Sequence, residues 1–224
     1  MGVETKTKDA TGVTLKPSQY VHLHNHTHHS LLDGLSKIPK LIDTVQEMGM
    51  EAVAITDHGT MSGVLDFYKT AKAAGVKPIL GMEAYVASRS RHDRDPQKDK
   101  ARYHLTILAM NNQGYQNLMR LTTIANLEGI YYKPRIDREL LEKYSEGLII
   151  LSGCASGELG ENLRVDNYEQ AREVAKWYKS IFGDRYYLEL QDHGHLESKT
   201  AWDVQVKING YLEKLSAELD IPMV

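Results

Sequence analysis

"VHLHNHTHHSLLDG", residues 21–34, carries five of the ten histidines in this chain and closes on Asp33 and Gly34. A disordered histidine-rich tract would explain that concentration, and so would a metal site at the end of a strand. On a strand, side chains two apart point the same way. Val21 and Leu23 then face one side, and His22, His24 and His26 face the other. Paired imidazoles at a strand end can chelate one ion, although histidines on a solvent face give the same alternation. His28 and His29 lie beyond the alternation and read as exposed loop residues. Asp33 before Gly34 reads, taken alone, as a turn aspartate.

The surrounding chain decides between the two. Apolar β-type runs at 20–23, 52–56, 78–86, 104–110, 148–151 and 186–190 alternate with helical patterns at 38–48, 61–74, 113–127, 168–182 and 198–219. Gly49, Gly75 and Gly183 follow helix ends, where a positive φ is wanted. This alternation predicts βαβ units and a parallel sheet. The charge-rich run "SRSRHDRDPQKDKAR", residues 88–102, reads as a solvated loop. Ligand-type residues then fall at strand ends: His24 and His26, Asp57 and His58 in "TDHG", Glu83, Cys154 in "SGC", and Asp192 and His193 in "QDHG". Chemistry in α/β folds gathers outside the carboxyl ends of strands. The pattern therefore favours a site over a disordered tract. His104 breaks it, because it begins its strand.

With 224 residues the chain suits one large or two small domains. A net charge of −3 and a pI near 6.4 argue against a self-sufficient nucleic-acid binder held by phosphate neutralisation. Binding DNA as part of something larger stays open. The single cysteine, Cys154, excludes an internal disulfide framework and suits a reducing, cytoplasmic setting. No apolar run reaches the roughly 18 residues of a membrane span. Residues 1–19 have no apolar stretch of the signal-peptide type and read as a flexible, polar lead-in that packs little.

Each candidate has an ordinary alternative. His58 could cap a helix or satisfy a core polar contact, and Cys154 could be a small buried hydrophobe. Glu83 is harder to dismiss, because a carboxylate inside an apolar strand is costly unless paired or metal-bound. Together the donors are nitrogen, oxygen and sulfur, which favours zinc, manganese or iron over calcium. Clustered imidazoles and a bridging carboxylate suit a multinuclear site that activates water and clamps a phosphoryl group. No phosphate-binding glycine loop, dinucleotide fingerprint or serine-nucleophile elbow is present. Metal-assisted phosphoester hydrolysis is the reaction class this predicts.

"HLHNHT…SLLDG", "ITDHGTMSG", "KPILGMEAYV", "YHLTILA", "EGIYYKPRID", "GLIILSGCASGE" and "YLELQDHG" resemble, in that order, the PHP (polymerase and histidinol phosphatase) domain of the bacterial replicative DNA polymerase III alpha subunit. The resemblance covers residues 20–224, and "YYKPRID" and "SGC" belong to its polymerase branch. It implies a distorted (β/α)7 barrel of the TIM-like kind, with up to three divalent ions, zinc or manganese first and magnesium or iron as alternatives. By this resemblance His24 and His26 match the first ligands, and Glu83 matches a bridging carboxylate. His104 and Cys154 match ligands of a second ion, and Asp33 and His58 ligands of a third. His22 stands where many PHP phosphatases have an aspartate. Asp57, as an orienter of a ligand or water, and His193 are the candidate catalytic residues. Lys133 and Arg135 are candidate phosphate contacts, with Tyr131 or Tyr132 stacking on a base.

The resemblance puts "IPMV", residues 221–224, at the start of strand seven and expects two further ligands, an Asp-x-His, after it. The chain is thus expected to be an incomplete PHP domain that binds at least one ion and degrades single-stranded DNA poorly. Implied partners are DNA at a 3′ end, the remainder of the polymerase alpha chain, a proofreading exonuclease subunit and a sliding clamp. Three activities compete: a 3′–5′ exonuclease, a catalytically silent scaffold, and a stand-alone phosphatase of the histidinol-phosphatase kind.

Overall fold

The computed structural model describes residues 16–31, 33–192 and 199–224 of the protein. Its described residues form two compact units, one made of residues up to Asp57 with Ser62–Leu80, the other of His58–Met61 with Gly81–Val224. Residues 1–15 of the expected lead-in lie outside the described residues, as does the candidate His193. Residues 16–19 are exposed and include one 3-10 turn, Pro17–Gln19.

In the first unit, helix α1 (Ile38–Glu47) buries Ile38, Ile42 and Val45, spaced to give one apolar stripe. Strand β1 (Ala52–Ile55) is buried at every position, as a short uninterrupted apolar run predicts. Helix α2 (Val64–Ala73) starts three residues later than the sequence pattern, after Gly63. Gly49 and Gly75 end these helices with φ of 71° and 75°. Residues 77–80, the first part of β2 (Lys77–Ala87), pair in parallel with β1.

The expected strand at 20–23 is reduced to an isolated parallel bridge between His22 and Val53. Two backbone bonds remain, from Ala54 N to His22 O (2.9 Å) and from Thr56 N to Asn25 O (2.8 Å), and side chains supplement them. Asn25 Nδ2 donates to the carbonyls of His22 (3.2 Å) and Ala54 (3.1 Å), and the Asn25 amide donates to Thr56 Oγ1 (3.0 Å). Such local bonds offer the backbone an alternative to sheet pairing.

The second unit is built on six strands in the order β4-β5-β2-β3-β6-β7, where β3 is Arg102–Ala109, β4 Ile130–Tyr131, β5 Lys133–Ile136, β6 Leu148–Leu151 and β7 Tyr186–Tyr187. The sheet is mixed, which corrects the all-parallel expectation. β2 pairs in parallel with β5, and β6 with β7, but β3 is antiparallel to both β2 and β6. No helix separates β2 from β3, so the chain returns directly, and direct return makes an antiparallel pair. Among the described residues no ladder joins β4 to β7, so the six strands form an open sheet. Residues 222–224 run beside 188–190, with Leu188 bridged in parallel to Met223.

The β2–β3 connection is an irregular, largely exposed loop, as composition suggested, but two of its charges are buried. Asp99 is buried and takes both Arg89 Nε (2.8 Å) and Nη2 (2.7 Å). Arg91, also buried, donates to Asp137 (3.0 Å) and Glu128 (2.9 Å).

Helices α3 (Asn112–Leu127), α4 (Arg138–Lys143), α5 (Glu158–Arg164), α6 (Tyr168–Phe182) and α7 (Lys199–Leu219) belong to this unit. Asn111 caps α3 by accepting from Gly114 N (3.0 Å), and Asp137 caps α4 by accepting from Leu140 N (3.2 Å). The sheet and helices share one core, which includes Met82, Val86, Ile107, Leu118, Leu121, Ile150, Val174 and Leu212. α4 and α5 went unread because six and seven residues are too few to show a helical period. No helix among the described residues is long and apolar enough to cross a membrane.

One largely buried carboxylate makes a pH prediction. Glu158, at the start of α5, accepts from Arg138 Nη2 (2.8 Å), and the Arg138 guanidinium lies 4.5 Å from the centre of the Trp177 ring. Burial raises the Glu158 carboxyl pKa, and the Arg138 charge only partly opposes it. An acid raised on folding contributes stability below its unfolded pKa and loses it as pH rises through the folded value. The thermal midpoint of the native chain is therefore expected to fall relative to Glu158→Gln between pH 4 and pH 7. A gap that widens in favour of the native chain over that range would contradict this.

Candidate metal centre

Within the second unit, three of the sequence candidates, His58, His104 and Cys154, meet at a fourth, Glu83. Its side chain is 1% exposed in the middle of β2, not at a strand end as the sequence pattern placed it. Oε2 lies 3.1 Å from His58 Nδ1 and Oε1 lies 3.0 Å from His104 Nδ1. Cys154 Sγ is 3.7 Å from Glu83 Oε1 and 3.5 Å from His104 Nδ1. The nearest ligand atoms of His58, Glu83 and His104 all fall within 4.8 Å of one another.

Local backbone geometry explains the convergence. Glu83 is registered with Thr106 and Tyr85 with His104, so Glu83, Tyr85, His104 and Thr106 share one face of the β2–β3 pair. Because β3 is antiparallel, its beginning lies where β2 finishes. That resolves the anomaly of His104, a ligand-type residue at the wrong end of its strand. β6 is also antiparallel to β3, so its carboxyl end, and the Cys154 turn after it, arrive at the same place. His104 N donates to Ser156 O (3.0 Å), which ties that turn to β3. Gly153 allows the approach. Its φ is 84°, and a Cβ there would lie 2.8 Å from the His104 carbonyl oxygen. On the other side His58 bridges Glu83 in parallel, with Gly59 N donating to Glu83 O (2.9 Å).

Tyr85, which the sequence reading passed over, organises the imidazoles. Its ring stacks on His58 (5.5 Å, 14°) and meets His104 edge-on (5.3 Å, 75°). Strand alternation from Glu83 was the available signal for it. Glu189 was also missed. It is a buried carboxylate in the apolar run 186–190 that accepts from Thr106 Oγ1 (3.2 Å), so the argument applied to Glu83 would have found it. Burial, and then the negative charge of Glu83, push the Cys154 thiol up to about 12. In the metal-free protein it is therefore a thiol that donates to Glu83.

The donor set passes a size test. Ligand atoms about 2.0–2.3 Å from a tetrahedral ion lie roughly 3.3–3.8 Å apart. The Cys154 spacings fall in that range, and the two Glu83–imidazole distances are slightly shorter.

In the first unit, the His26 Nδ1 atom lies 3.3 Å from Asp33 Oδ2, and the rings of His24 and His26 are 5.3 Å apart. Asp33 is thus more than a turn aspartate. Asp57 is buried and accepts from Thr27 N (2.6 Å) and Thr27 Oγ1 (2.9 Å), which holds the 24–29 segment. It orients the backbone that carries His24 and His26. His28 is exposed, whereas His29 is half-buried, with Nδ1 3.4 Å from Ser62 Oγ.

Arg135 does not fit the phosphate-contact reading. Its side chain is fully buried, with Nε donating to Gly129 O (3.1 Å) and Nη2 to Arg91 O (2.9 Å) and Asp93 O (2.8 Å). It ties two loops together. Lys133 is half-buried, with Nζ 5.4 Å from the centre of the Tyr85 ring.

Residues 22–193 match the family profile described as PHP domain. The chain belongs to the PHP domain family. Its relatives include proteins named DNA polymerase III subunit alpha. That of Borreliella burgdorferi is 44% identical over 207 residues, that of Treponema pallidum 46% over 207, and that of Thermus aquaticus 46% over 210. Each similarity covers 92% of this chain and 17% of the relative, so this PHP domain spans about a sixth of the length of the curated relatives it matches.

Proposed function

We propose that this PHP domain forms part of a replicative DNA polymerase alpha chain. In this reading its His58–Glu83–His104–Cys154 centre holds a divalent ion and hydrolyses phosphodiesters of DNA from a 3′ end. The observation that carries it is the convergence of an imidazole, a second imidazole and a thiol on one buried carboxylate, at 3.0–3.7 Å. A carboxylate buried to that degree needs compensation by opposite charge, and imidazole and sulfur donors suit zinc ahead of manganese or iron. An ion there supplies Lewis acidity toward a phosphoryl oxygen and lowers the pKa of a water.

The chain's own groups do the rest. Glu83 anchors the set from the middle of a rigid strand. Tyr85 fixes the ring planes of His58 and His104. Lys133, whose Nζ lies over the Tyr85 ring, offers a cation for a phosphate. His26 with Asp33, next to His24, is a second donor set suited to a further ion, and His193 is proposed as a catalytic group on sequence grounds alone. The reading also takes the fold as the (β/α)7 barrel of the family, which the Leu188–Met223 bridge beyond β7 supports. The remainder of an alpha chain, a proofreading subunit and a sliding clamp are the partners it implies.

The test has two readouts. After dialysis against zinc or manganese, the chain is expected to retain at least one ion, and the ion should slow alkylation of Cys154. A 3′-labelled single-stranded oligonucleotide should then be shortened slowly and only with added metal, and His104→Ala should lower the rate at least about 100-fold. Metal retention with no cleavage at any metal concentration would leave the scaffold reading standing instead.

A further inference from the structure

Among the described residues three without glycine's freedom adopt a left-handed backbone: Tyr132 (φ 61°), Asp166 (φ 60°) and Asp220 (φ 52°). Aspartate tolerates this region because its short side chain bonds locally, and Asp166 is further held by Lys207 (2.8 Å) and Tyr211 (2.8 Å). A tyrosine has no such compensation, and a bulky residue at positive φ is a true outlier. Nor does burial repay the strain, since Tyr132 is 74% exposed. The backbone is bent unfavourably to present an aromatic ring to solvent. Strain of this kind persists only where the surroundings impose it, and it gathers at functional positions.

The surroundings that impose it lead back to the metal centre. Tyr132 is the turn between β4 and β5, and the following residues anchor that hairpin twice. Lys133 Nζ sits over the Tyr85 ring (5.4 Å). Pro134 closes over Gly59, where an added Cβ would come within 3.0 Å of Pro134 Cγ and 3.1 Å of the Tyr85 ring. Tyr85 stacks on His58, which immediately precedes Gly59. At the other end of the turn Tyr131 is pinned, with the Arg135 guanidinium 5.1 Å from its ring centre. Tyr132 lies 4.7 Å from Tyr131, ring centre to ring centre. One hairpin therefore carries, in consecutive positions, a fixed aromatic ring, an exposed aromatic ring and a cation that reaches the metal-centre tyrosine.

The geometry points to Tyr132 as a stacking platform for one base of single-stranded DNA, with Lys133 taking the adjoining phosphate. The inference rests on the nucleic-acid reading of the centre, and it assigns the two roles that the sequence left open. Tyr132, not Tyr131, presents a face, and Lys133, not Arg135, presents a charge. Sequence-tolerant recognition of single strands uses this pairing of aromatic faces with backbone-tracking cations.

Because Tyr132 is strained, glycine separates a binding role from a structural one. Glycine relieves the φ of 61° while removing the ring. The experiment titrates the full chain into a fluorescein-labelled oligothymidylate, and into a strand carrying 2-aminopurine near its 3′ end. Both are run in EDTA at low salt so that nothing is cleaved, with thermal midpoints taken in the same buffer. Tyr132→Gly is expected to hold or raise the midpoint, weaken binding about tenfold and abolish quenching of 2-aminopurine. Tyr132→Phe should bind within about twofold of the native chain, since it keeps the π-face. The inference is overturned if Tyr132→Gly binds as tightly as the native chain, if the native chain neither binds nor quenches, or if lost binding comes with a lowered midpoint. The metal-retention and cleavage assays stand apart from this titration, so failure of the hydrolytic reading would show there and not here.

Discussion

Glu83→Gln is expected to abolish metal retention while leaving the protein folded. The substitution keeps shape and removes the charge on which His58, His104 and Cys154 converge. Losing a group that merely orients a ligand commonly costs about 10–100-fold in metal affinity, so losing the shared carboxylate should cost more than about 100-fold. The thermal readout is independent. An ion present at about 100 times its dissociation constant stabilises the folded state by about 2.7 kcal/mol, which for a chain of this size moves the midpoint up by about 5–10 °C. The native protein should show that shift with zinc and Glu83→Gln should not, while their metal-free midpoints stay close. Equal zinc content after dialysis in the two proteins would remove Glu83 from the centre.

Arg135→Leu is expected to destabilise the fold by about 4 kcal/mol, which would appear as a midpoint lowered by roughly 8–16 °C. The guanidinium satisfies the carbonyls of Gly129, Arg91 and Asp93. Leaving buried acceptors unmade costs about 1–3 kcal/mol each. Lys133→Ala, two residues away, loses only a cation–π contact with Tyr85 worth about 0.5–1 kcal/mol, and should lower the midpoint by no more than about 4 °C. Thermal melts of the two variants decide it. If they were reversed, with Lys133 structural and Arg135 neutral, the assignment of the hairpin's two cations would fall. With it would fall the reading of Lys133 as the phosphate contact.

Those two cations mark where sequence reasoning stopped. "YYKPRID" offers two basic residues on the same strand, and both carry the chemistry to meet a phosphate. Parity is of no help, since Lys133 and Arg135 lie two apart and alternation alone assigns them to one side. Their fates differ because Arg135 is registered opposite Tyr85 in the parallel β2–β5 pair, deep enough to be enclosed by the 91–93 loop. Lys133 precedes that ladder and keeps its head on the Tyr85 ring.

What the sequence determined by itself was local or purely energetic. α1, β1 and α6 follow from periodicity, apolar runs and glycine ends, because each depends on residues within a few positions. Glu83 stood out because the cost of a carboxylate in an apolar strand does not depend on what it faces. Tertiary structure decided the rest. The direction of β3 turned on a helix-free connection held by Asp99 and Arg91, bonds that composition recorded only as charge. That direction brings His104 to Glu83, and with it Cys154 from 71 residues away. It also makes Tyr85 the common neighbour of two imidazoles. Spacing along a chain says which side chains can point the same way. Only strand order and register bring side chains from different strands within the 3–4 Å at which they act as one group.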